Sequence, residues 1–442
     1  KTEAALEQFS ISGEGTETFR NTEAPDKLRG LGTPGTATTT GTAALNVDAS
    51  ALANCIAMVG NAGANVLTGT AYADQIDGGS GDDILSGGDG VDSMNGGAGS
   101  DLYLIALASE HVSTEINDTG GSGVDELRFT ASSASTLNLF ANDKGIERVV
   151  LGTGTGAVAT TTGSAALNVD ASAVTKAITL VGNAGANVLT GSAYADRIEA
   201  GGGADLLIGG VGTDIMNGGE GSDLYLIALT SDHLAAEIAD TGSAGVDEVR
   251  FTATSAGTLK LYAGDTGLER VVLGTGSDAL ADTTGTAALN VDASAVLKGI
   301  TLVGNAGANI LTGTTYGDRI EGGDGADLLK GLAGTDSMNG GEGSDLYLIA
   351  RASEHTAAEF ADTGSTGIDE VRFADTTAGT LKLYAGDSGI ERVVLGTGTG
   401  AVATTTGTVA LNVDALAMGN AITLFGNAGA NLLTGTAYAD QI

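Results

Sequence analysis

The chain has 442 residues, of which 72 are glycine, and its 55 acidic against 19 basic residues give a formal net charge of -36. This charge excludes nucleic-acid binding through phosphate contacts, and the lack of an 18-residue apolar run excludes a membrane-spanning helix. Because 42% of the residues are hydrophobic, and mostly small or aliphatic, the chain is not a disordered acidic tail but can bury a long, thin core.

One unit of 122 residues recurs along the chain without insertion or deletion. The string ALNVDA begins at four positions with this spacing: Ala44, Ala166, Ala288 and Ala410. Self-similarity at a fixed period predicts a repeat architecture. We divide the chain into a diverged partial unit, three full copies and a truncated fourth copy, with the bounds 1–45, 46–167, 168–289, 290–411 and 412–442.

Each copy contains consecutive nine-residue words of the form G-G-x-G-x-D-x-U-x, in which U is a large apolar residue. From Gly69 the sequence reads GTAYADQID, GGSGDDILS, GGDGVDSMN and GGAGSDLYL. A weaker word, GNAGANVLT, begins at Gly60, and a sixth, GGSGVDELR, begins out of step at Gly120. We call the in-step words of a copy its word block, and the three blocks span residues 60–104, 182–226 and 304–348.

These words resemble the RTX, or haemolysin-type calcium-binding, repeat family. The resemblance implies an all-β fold, a parallel β-roll or β-solenoid in which six residues form a turn and three form a short strand. Two words then make one coil of 18 residues. It also implies export in an unfolded state, commonly by type I secretion, followed by folding on Ca²⁺ binding outside the cell.

The 18-residue coil places the aspartates of alternate words near one ion. Stacked strands lie about 4.8 Å apart, and Ca²⁺ binds oxygens at about 2.3–2.6 Å, so an ion between two turns reaches both. We predict several Ca²⁺ ions per copy, held by these pairs: Asp74 with Asp92, Asp83 with Asp101, Asp196 with Asp214, Asp205 with Asp223, Asp318 with Asp336, and Asp327 with Asp345. A weaker site replaces one carboxylate by an amide, at Asn65, Asn187 and Asn309. The sixth word offers a ligand for an isolated ion, at Asp125, Asp247 and Asp369.

A metal-free turn is the alternative interpretation, because glycine and aspartate are common turn residues. Repulsion between stacked carboxylates about 5 Å apart argues against it. Two residues depart from the glycine pattern: Ala200 stands where the first copy has Gly78, and Leu332 where it has Gly88. We expect distorted turns and incomplete occupancy there.

The rest of each copy alternates apolar and polar residues over short runs, which predicts strands. In the first copy and the start of the second, these runs are 126–130, 136–140, 147–151, 166–171 and 177–181. We expect wider coils of the same solenoid, with six or seven coils per copy and a rise of roughly 30 Å. A separate small β-domain between word blocks is the alternative.

No catalytic motif is evident, and we expect no enzymatic activity. His111, His233 and His355 each precede a glutamate by four residues, without the second histidine of an HExxH zinc motif. We interpret them as solvated surface pairs. Two periodic tyrosine rows are expected to pack coil edges, although sugar binding is an alternative: Tyr72, Tyr194, Tyr316 and Tyr438, and Tyr103, Tyr225 and Tyr347.

These features predict a secreted, calcium-stabilised structural repeat protein of the bacterial cell surface, such as a filament, S-layer or adhesin stalk. Extracellular modules bind Ca²⁺ with a Kd of about 10⁻⁴–10⁻³ M, which suits folding outside the cell. The expected partner is a further copy of the chain in a fibre or lattice, because the last residues form an ordinary internal word. The alternatives are an accessory roll of a secreted hydrolase or toxin, and an adhesin that binds a cell-surface glycan.

Overall fold

A computed structural model of the chain describes residues 7–10, 41–44, 46–277 and 280–442. Most of the predicted partial unit 1–45 therefore lies outside the described residues. The described chain is all-β, and its strands pair in parallel as a β-solenoid, which confirms the predicted fold class. In these ranges the helical elements are two short 3-10 helices, Thr230–Asp232 and Ala352–Glu354. Neither has the length that a membrane crossing requires, nor does any other described segment.

The contacts divide the chain into two compact units, Lys1–Gly221 and Ser222–Ile442. The strands of the first unit are β1 Glu7–Ser10, β2 Asn46–Asp48, β3 Ile56–Val59, β4 Val66–Thr68, β5 Gln75–Ser80, β6 Ile84–Ser86, β7 Ser93–Ala98, β8 Leu102–Ile105, β9 Asp125–Phe129, β10 Ser135–Asn138, β11 Ile146–Leu151, β12 Leu167–Asp170, β13 Thr179–Val181, β14 Val188–Thr190, β15 Arg197–Gly202, β16 Leu206–Ile208 and β17 Ile215–Glu220.

The second unit repeats the same arrangement. Its strands are β18 Leu224–Ile227, β19 Glu248–Phe251, β20 Gly257–Lys260, β21 Arg270–Leu273, β22 Leu289–Asp292, β23 Thr301–Val303, β24 Ile310–Thr312, β25 Arg319–Asp324, β26 Leu328–Lys330, β27 Ser337–Glu342, β28 Leu346–Ile349, β29 Glu370–Phe373, β30 Gly379–Lys382, β31 Arg392–Leu395, β32 Leu411–Asp414, β33 Thr423–Phe425 and β34 Leu433–Thr434.

The word blocks wind with the predicted 18-residue coil, since Val66 lies opposite Ile84, and Ile84 opposite Leu102. The apolar U residue of each word points inward, and Leu67, Leu85 and Met94 are all at most 2% exposed. This alternation of inward aliphatic residues with outward polar ones explains why such short segments form strands.

The rest of each copy continues the same solenoid as wider coils, as predicted. In the first copy these wide coils span residues 105–167. Leu102 lies opposite Glu126, a step of 24 residues, and Leu127 lies opposite Val149, a step of 22. The strands β9, β10, β11 and β12 fall within two residues of the predicted runs.

Each copy contains five and a half coils, fewer than the six or seven predicted, because the wide coils use more residues. The nine-stranded sheet of the first unit takes β2, β4, β6, β8, β9 and β11 from the first copy, and then β13, β15 and β17. These last three are the equivalents of β3, β5 and β7, which lie in the opposite sheet. Successive copies therefore exchange faces within a unit, with a rise of about 26 Å per copy.

Candidate metal centres

The aspartate of each word is buried and hydrogen-bonds the coil before it. Oδ1 of Asp83 accepts the N–H of Asn65 at 2.7 Å, and Oδ1 of Asp101 accepts the N–H of Asp83 at 2.8 Å. On the opposite edge, Oδ1 of Asp92 accepts the N–H of Asp74 at 2.8 Å. The equivalent bonds in the later copies join Asp196 to Asp214, Asp318 to Asp336, and Asp327 to Asp345. The structure thus brings these predicted pairs together, whereas Asp205 and Asp223 fall in different units.

The second oxygen of these carboxylates is left without a hydrogen-bond partner. This holds for Oδ2 of Asp83, Asp92, Asp101, Asp327, Asp336 and Asp345. Burial raises the pKa of Asp83 to about 7 and that of Asp101 to about 6, because a charged carboxylate loses its hydration. A buried acidic oxygen without a partner requires either a proton or a cation.

Glycines form a cradle around these oxygens. A Cβ on Gly78 would lie 2.4 Å from Oδ2 of Asp83 and 2.7 Å from the carbonyl oxygen of Gly96. Gly88 has a φ of +92°, and a Cβ there would lie 2.0 Å from the carbonyl oxygen of Thr70. Carboxylate and carbonyl oxygens are the donors that Ca²⁺ prefers. The residues present therefore fit a calcium ion between stacked turns.

The two departures from the glycine pattern keep the course of the backbone. Ala200 is fully buried, and its neighbours Glu199 and Gly201 retain their pairing with the next coil. Leu332 has a φ of 71°, and among the described residues other than glycine it alone has a positive φ. The left-handed conformation costs a residue with a Cβ roughly 1–2 kcal/mol, so the chain retains this turn at an energetic cost.

The asparagines of the first word are satisfied locally. Oδ1 of Asn187 accepts the N–H of Asn183 at 2.9 Å, and its Nδ2 donates to the carbonyl oxygen of Leu167 at 2.7 Å. Asn65 and Asn309 make the same type of bond to Asn61 and Asn305. Each asparagine lies beside the next aspartate of the ladder but uses its own side chain as a neutral cap.

A second kind of cluster lies where the word block meets the wide coils. Oδ1 of Asp125, from the sixth word, accepts the N–H of Asp101 at 2.8 Å across 24 residues. Asp118 joins these two, so that one oxygen of each carboxylate lies within 4.8 Å of the others. The equivalent triads are Asp223, Asp240 and Asp247, and Asp345, Asp362 and Asp369.

The sequence reasoning missed Asp118, Asp240 and Asp362 because they lie outside the nine-residue frame. The string D-T-G at each of these positions, recurring every 122 residues, was the available signal. At about 4.8 Å and an effective dielectric constant near 20, two unit charges repel by roughly 3.5 kcal/mol. Burial, followed by the contact with Asp118, raises the pKa of Asp125 to about 8.

The histidines are fully buried, so the prediction of solvated surface pairs is wrong. Nδ1 of His111 lies 3.3 Å from Oε2 of Glu115, and Nε2 lies 3.0 Å from Oδ2 of Asp143. Burial alone would lower the pKa of His111, but the two carboxylates raise it to about 9. Asp143 is 32 residues away, and only the path of the wide coil brings it to the ring. We call this arrangement the histidine clamp, which recurs at His233 and His355.

The two tyrosine rows differ in environment. Tyr103, Tyr225 and Tyr347 are completely buried, as packing requires. The other row, at Tyr72, Tyr194, Tyr316 and Tyr438, is about half exposed. Tyr72 lies in a turn that leaves the nine-stranded sheet, whereas Tyr194 lies in a turn that enters it. The exposed tyrosines of successive copies in a unit therefore lie on opposite edges and form no continuous ladder.

A family model, the RTX calcium-binding nonapeptide repeat, matches residues 59–94, 68–103, 179–193, 190–225, 312–347 and 423–442. No curated protein matches the chain. The matched segments contain the stacked words with their buried aspartates. The words of this chain accordingly belong to the RTX calcium-binding nonapeptide repeat family.

Proposed function

We propose that the chain is a calcium-stabilised structural segment of a secreted bacterial surface protein, such as a filament, S-layer or adhesin stalk. The observation that carries the proposal is the periodic set of buried carboxylate oxygens without a partner, exemplified by Asp83 and Asp101. Ions bound between stacked turns stabilise one state only, the folded solenoid. The function is then mechanical: the chain supplies length and stiffness where Ca²⁺ is present.

Calcium concentration determines where such a chain folds. Sites of the extracellular class, with a Kd of about 10⁻⁴–10⁻³ M, stay empty in the cytosol and fill outside. Without the ions, repulsion among 55 acidic residues favours an expanded chain. This difference supports export in an unfolded state, as type I secretion requires, and folding after release.

The regular 122-residue period favours the structural role over the accessory roll of a hydrolase or toxin. Three nearly identical copies carry no unique cleft to which a reaction would be assigned, and the proposal includes no catalytic residue. The alternating edges of Tyr72 and Tyr194 argue against a continuous glycan-binding row. Self-association of chains into a fibre or lattice is the partner interaction that fits this role.

Far-UV circular dichroism of the full chain tests the calcium dependence. With millimolar Ca²⁺ we expect a β spectrum, and in a chelator we expect a loss of ordered structure. At an ion concentration of about 100 times Kd, each site contributes about 2.7 kcal/mol, so a few sites exceed the usual 5–15 kcal/mol of a domain.

Magnesium at the same concentration is the control, because its octahedral geometry and shorter bonds suit this cradle poorly. Heating in chelator releases any ion that exchanges slowly at room temperature. A β spectrum that persists in chelator after heating and cooling contradicts the proposed function.

A further inference from the structure

The carboxylate triad at Asp101, Asp118 and Asp125 differs from the pairs within the word block. Only Asp101 belongs to an in-step word, and Asp118 comes from the segment that links β8 to β9. All three side chains are at most 5% exposed. The triad therefore joins the last coil of the block to the first wide coil.

One oxygen of each carboxylate is fixed by backbone donors. Oδ1 of Asp118 accepts the N–H groups of Gly97 and Gly120 at 2.9 and 3.1 Å. Oδ1 of Asp101 and Oδ1 of Asp125 each accept one N–H of the ladder, from Asp83 and Asp101. These bonds orient the carboxylates before any ligand arrives.

The remaining oxygens of the triad lack partners. Oδ2 of Asp101 and Oδ2 of Asp118 have no hydrogen bond, although both residues are buried. A Cβ on Gly145, whose φ is +87°, would lie 2.6 Å from Oδ2 of Asp118, so glycine keeps space beside this oxygen. In the third copy, Oδ2 of Asp345 is likewise without a partner.

We propose that Asp101, Asp118 and Asp125, with their equivalents in the other two copies, form a second class of calcium site outside the nonapeptide pairs. Oxygens within 4.8 Å of one another can bind one Ca²⁺, since two ligands on opposite sides of the ion are about 4.6–5.2 Å apart. The ion staples the linking segment 106–124 to the word block. This inference rests on the proposed calcium dependence and adds one ion per full copy.

Counting the bound ions tests the proposal. We compare the full chain with a variant that carries Asp118→Asn, Asp240→Asn and Asp362→Asn. Asparagine keeps the acceptor for the backbone N–H groups but removes the charge. Native mass spectrometry in Ca²⁺ should show three fewer ions per chain. An unchanged number of ions overturns the proposal.

A matched control has the same charge change and the same spacing. Asp170, Asp292 and Asp414 lie at outward strand ends, where Oδ1 accepts a local backbone N–H. Their substitution by asparagine should leave the number of ions unchanged. If the triple triad variant fails to fold, Asp118→Asn alone should remove one ion, and retention of that ion overturns the proposal.

Terbium luminescence provides a second readout, since buried tyrosines lie beside the triads. The hydroxyl of Tyr225 donates to Oδ2 of Asp240 at 2.6 Å, and Tyr347 makes the same bond to Asp362. Excitation of tyrosine should sensitise Tb³⁺ emission, which the triad variant loses. Changing the exposed row to phenylalanine, at Tyr72, Tyr194, Tyr316 and Tyr438, should preserve the emission. Emission that disappears only with the exposed row overturns the proposal.

The ion count separates this inference from the proposed function. A wild-type chain that binds no Ca²⁺ contradicts both. A chain whose word pairs fill, but whose ion count does not respond to Asp118→Asn, contradicts the triad alone.

Discussion

The word block and the wide coils both bury carboxylates, but they neutralise them differently. Residues 60–104 contain no lysine, arginine or histidine, whereas residues 105–167 contain four such residues. In the wide coils, His111 lies between two carboxylates, and the buried Arg128 donates to Glu126 and to the carbonyl oxygens of Gly154 and Gly156. The wide coils thus supply their own cations, while the word block must obtain them from solution.

The largest expected effect is a pH dependence of opposite sign to that of an ordinary acid-sensitive protein. In chelator, folding raises the pKa of Asp83, Asp92 and Asp327 to about 7, so native word blocks hold protons that the unfolded chain releases. Their stability is present at low pH and lost as the pH rises through about 7. Hydrogen exchange of peptides from residues 60–104, measured in chelator at pH 5 and 8 and corrected for intrinsic rates, should show this loss.

The histidine clamp gives the contrast within the same experiment. Its raised pKa of about 9 means that its contribution is complete below about 6.5 and is lost only through about 9. Peptides from the wide coils should therefore keep more protection than the word block between pH 7 and 8. Equal losses in both regions, or losses abolished by Mg²⁺ as well as Ca²⁺, would contradict the comparison.

The next largest effect is expected from His111→Ala. Removing the imidazolium leaves Glu115 and Asp143 buried without their cation, which costs about 3–5 kcal/mol. The free energy of opening, from hydrogen exchange of residues 111–118 in saturating Ca²⁺, measures it. Lys176→Ala is the control, because Lys176 forms a half-exposed pair with Glu147, and such pairs contribute about 0–1 kcal/mol.

The ladder residues should also respond in a graded manner. Asp83→Ala removes a carboxylate that lies between Asn65 and Asp101, so it should remove ions on both sides of that turn. Asn65→Ala removes local hydrogen bonds of a neutral cap, each contributing about 1 kcal/mol, and at most one weak ion. Calcium titration of the full chain with either change measures the difference. Equal losses would mean that the pairing across 18 residues is wrong.

The smallest effect is expected at Leu332. Leu332→Gly relieves a left-handed backbone and should stabilise its turn by about 1 kcal/mol. Gly88→Leu, at the equivalent position in the first copy, should destabilise by at least as much. Thermal unfolding in Ca²⁺ compares the two, and destabilisation by Leu332→Gly would show that its side-chain contacts outweigh the strain.

The sequence predicted the word block well because its period is local. Nine residues per word fix which strands stack, and hence that Asp83 lies beside Asp101. The partners of Asp118 and His111 depended on coils of 22, 24 and about 32 residues, whose lengths follow no repeated word. No pattern in the sequence encodes these widths, so the third carboxylate of the triad and of the clamp was found only in the folded chain.

The half coil left over in each copy gives the units an approximate two-fold screw relationship between neighbouring copies. An exposed residue such as Tyr72 returns to its original edge only after two copies, about 53 Å along the axis. A partner that binds one edge therefore recognises every second copy. During evolution, duplication of a single copy would move every later residue of that unit to the opposite side, whereas duplication of a pair preserves the arrangement.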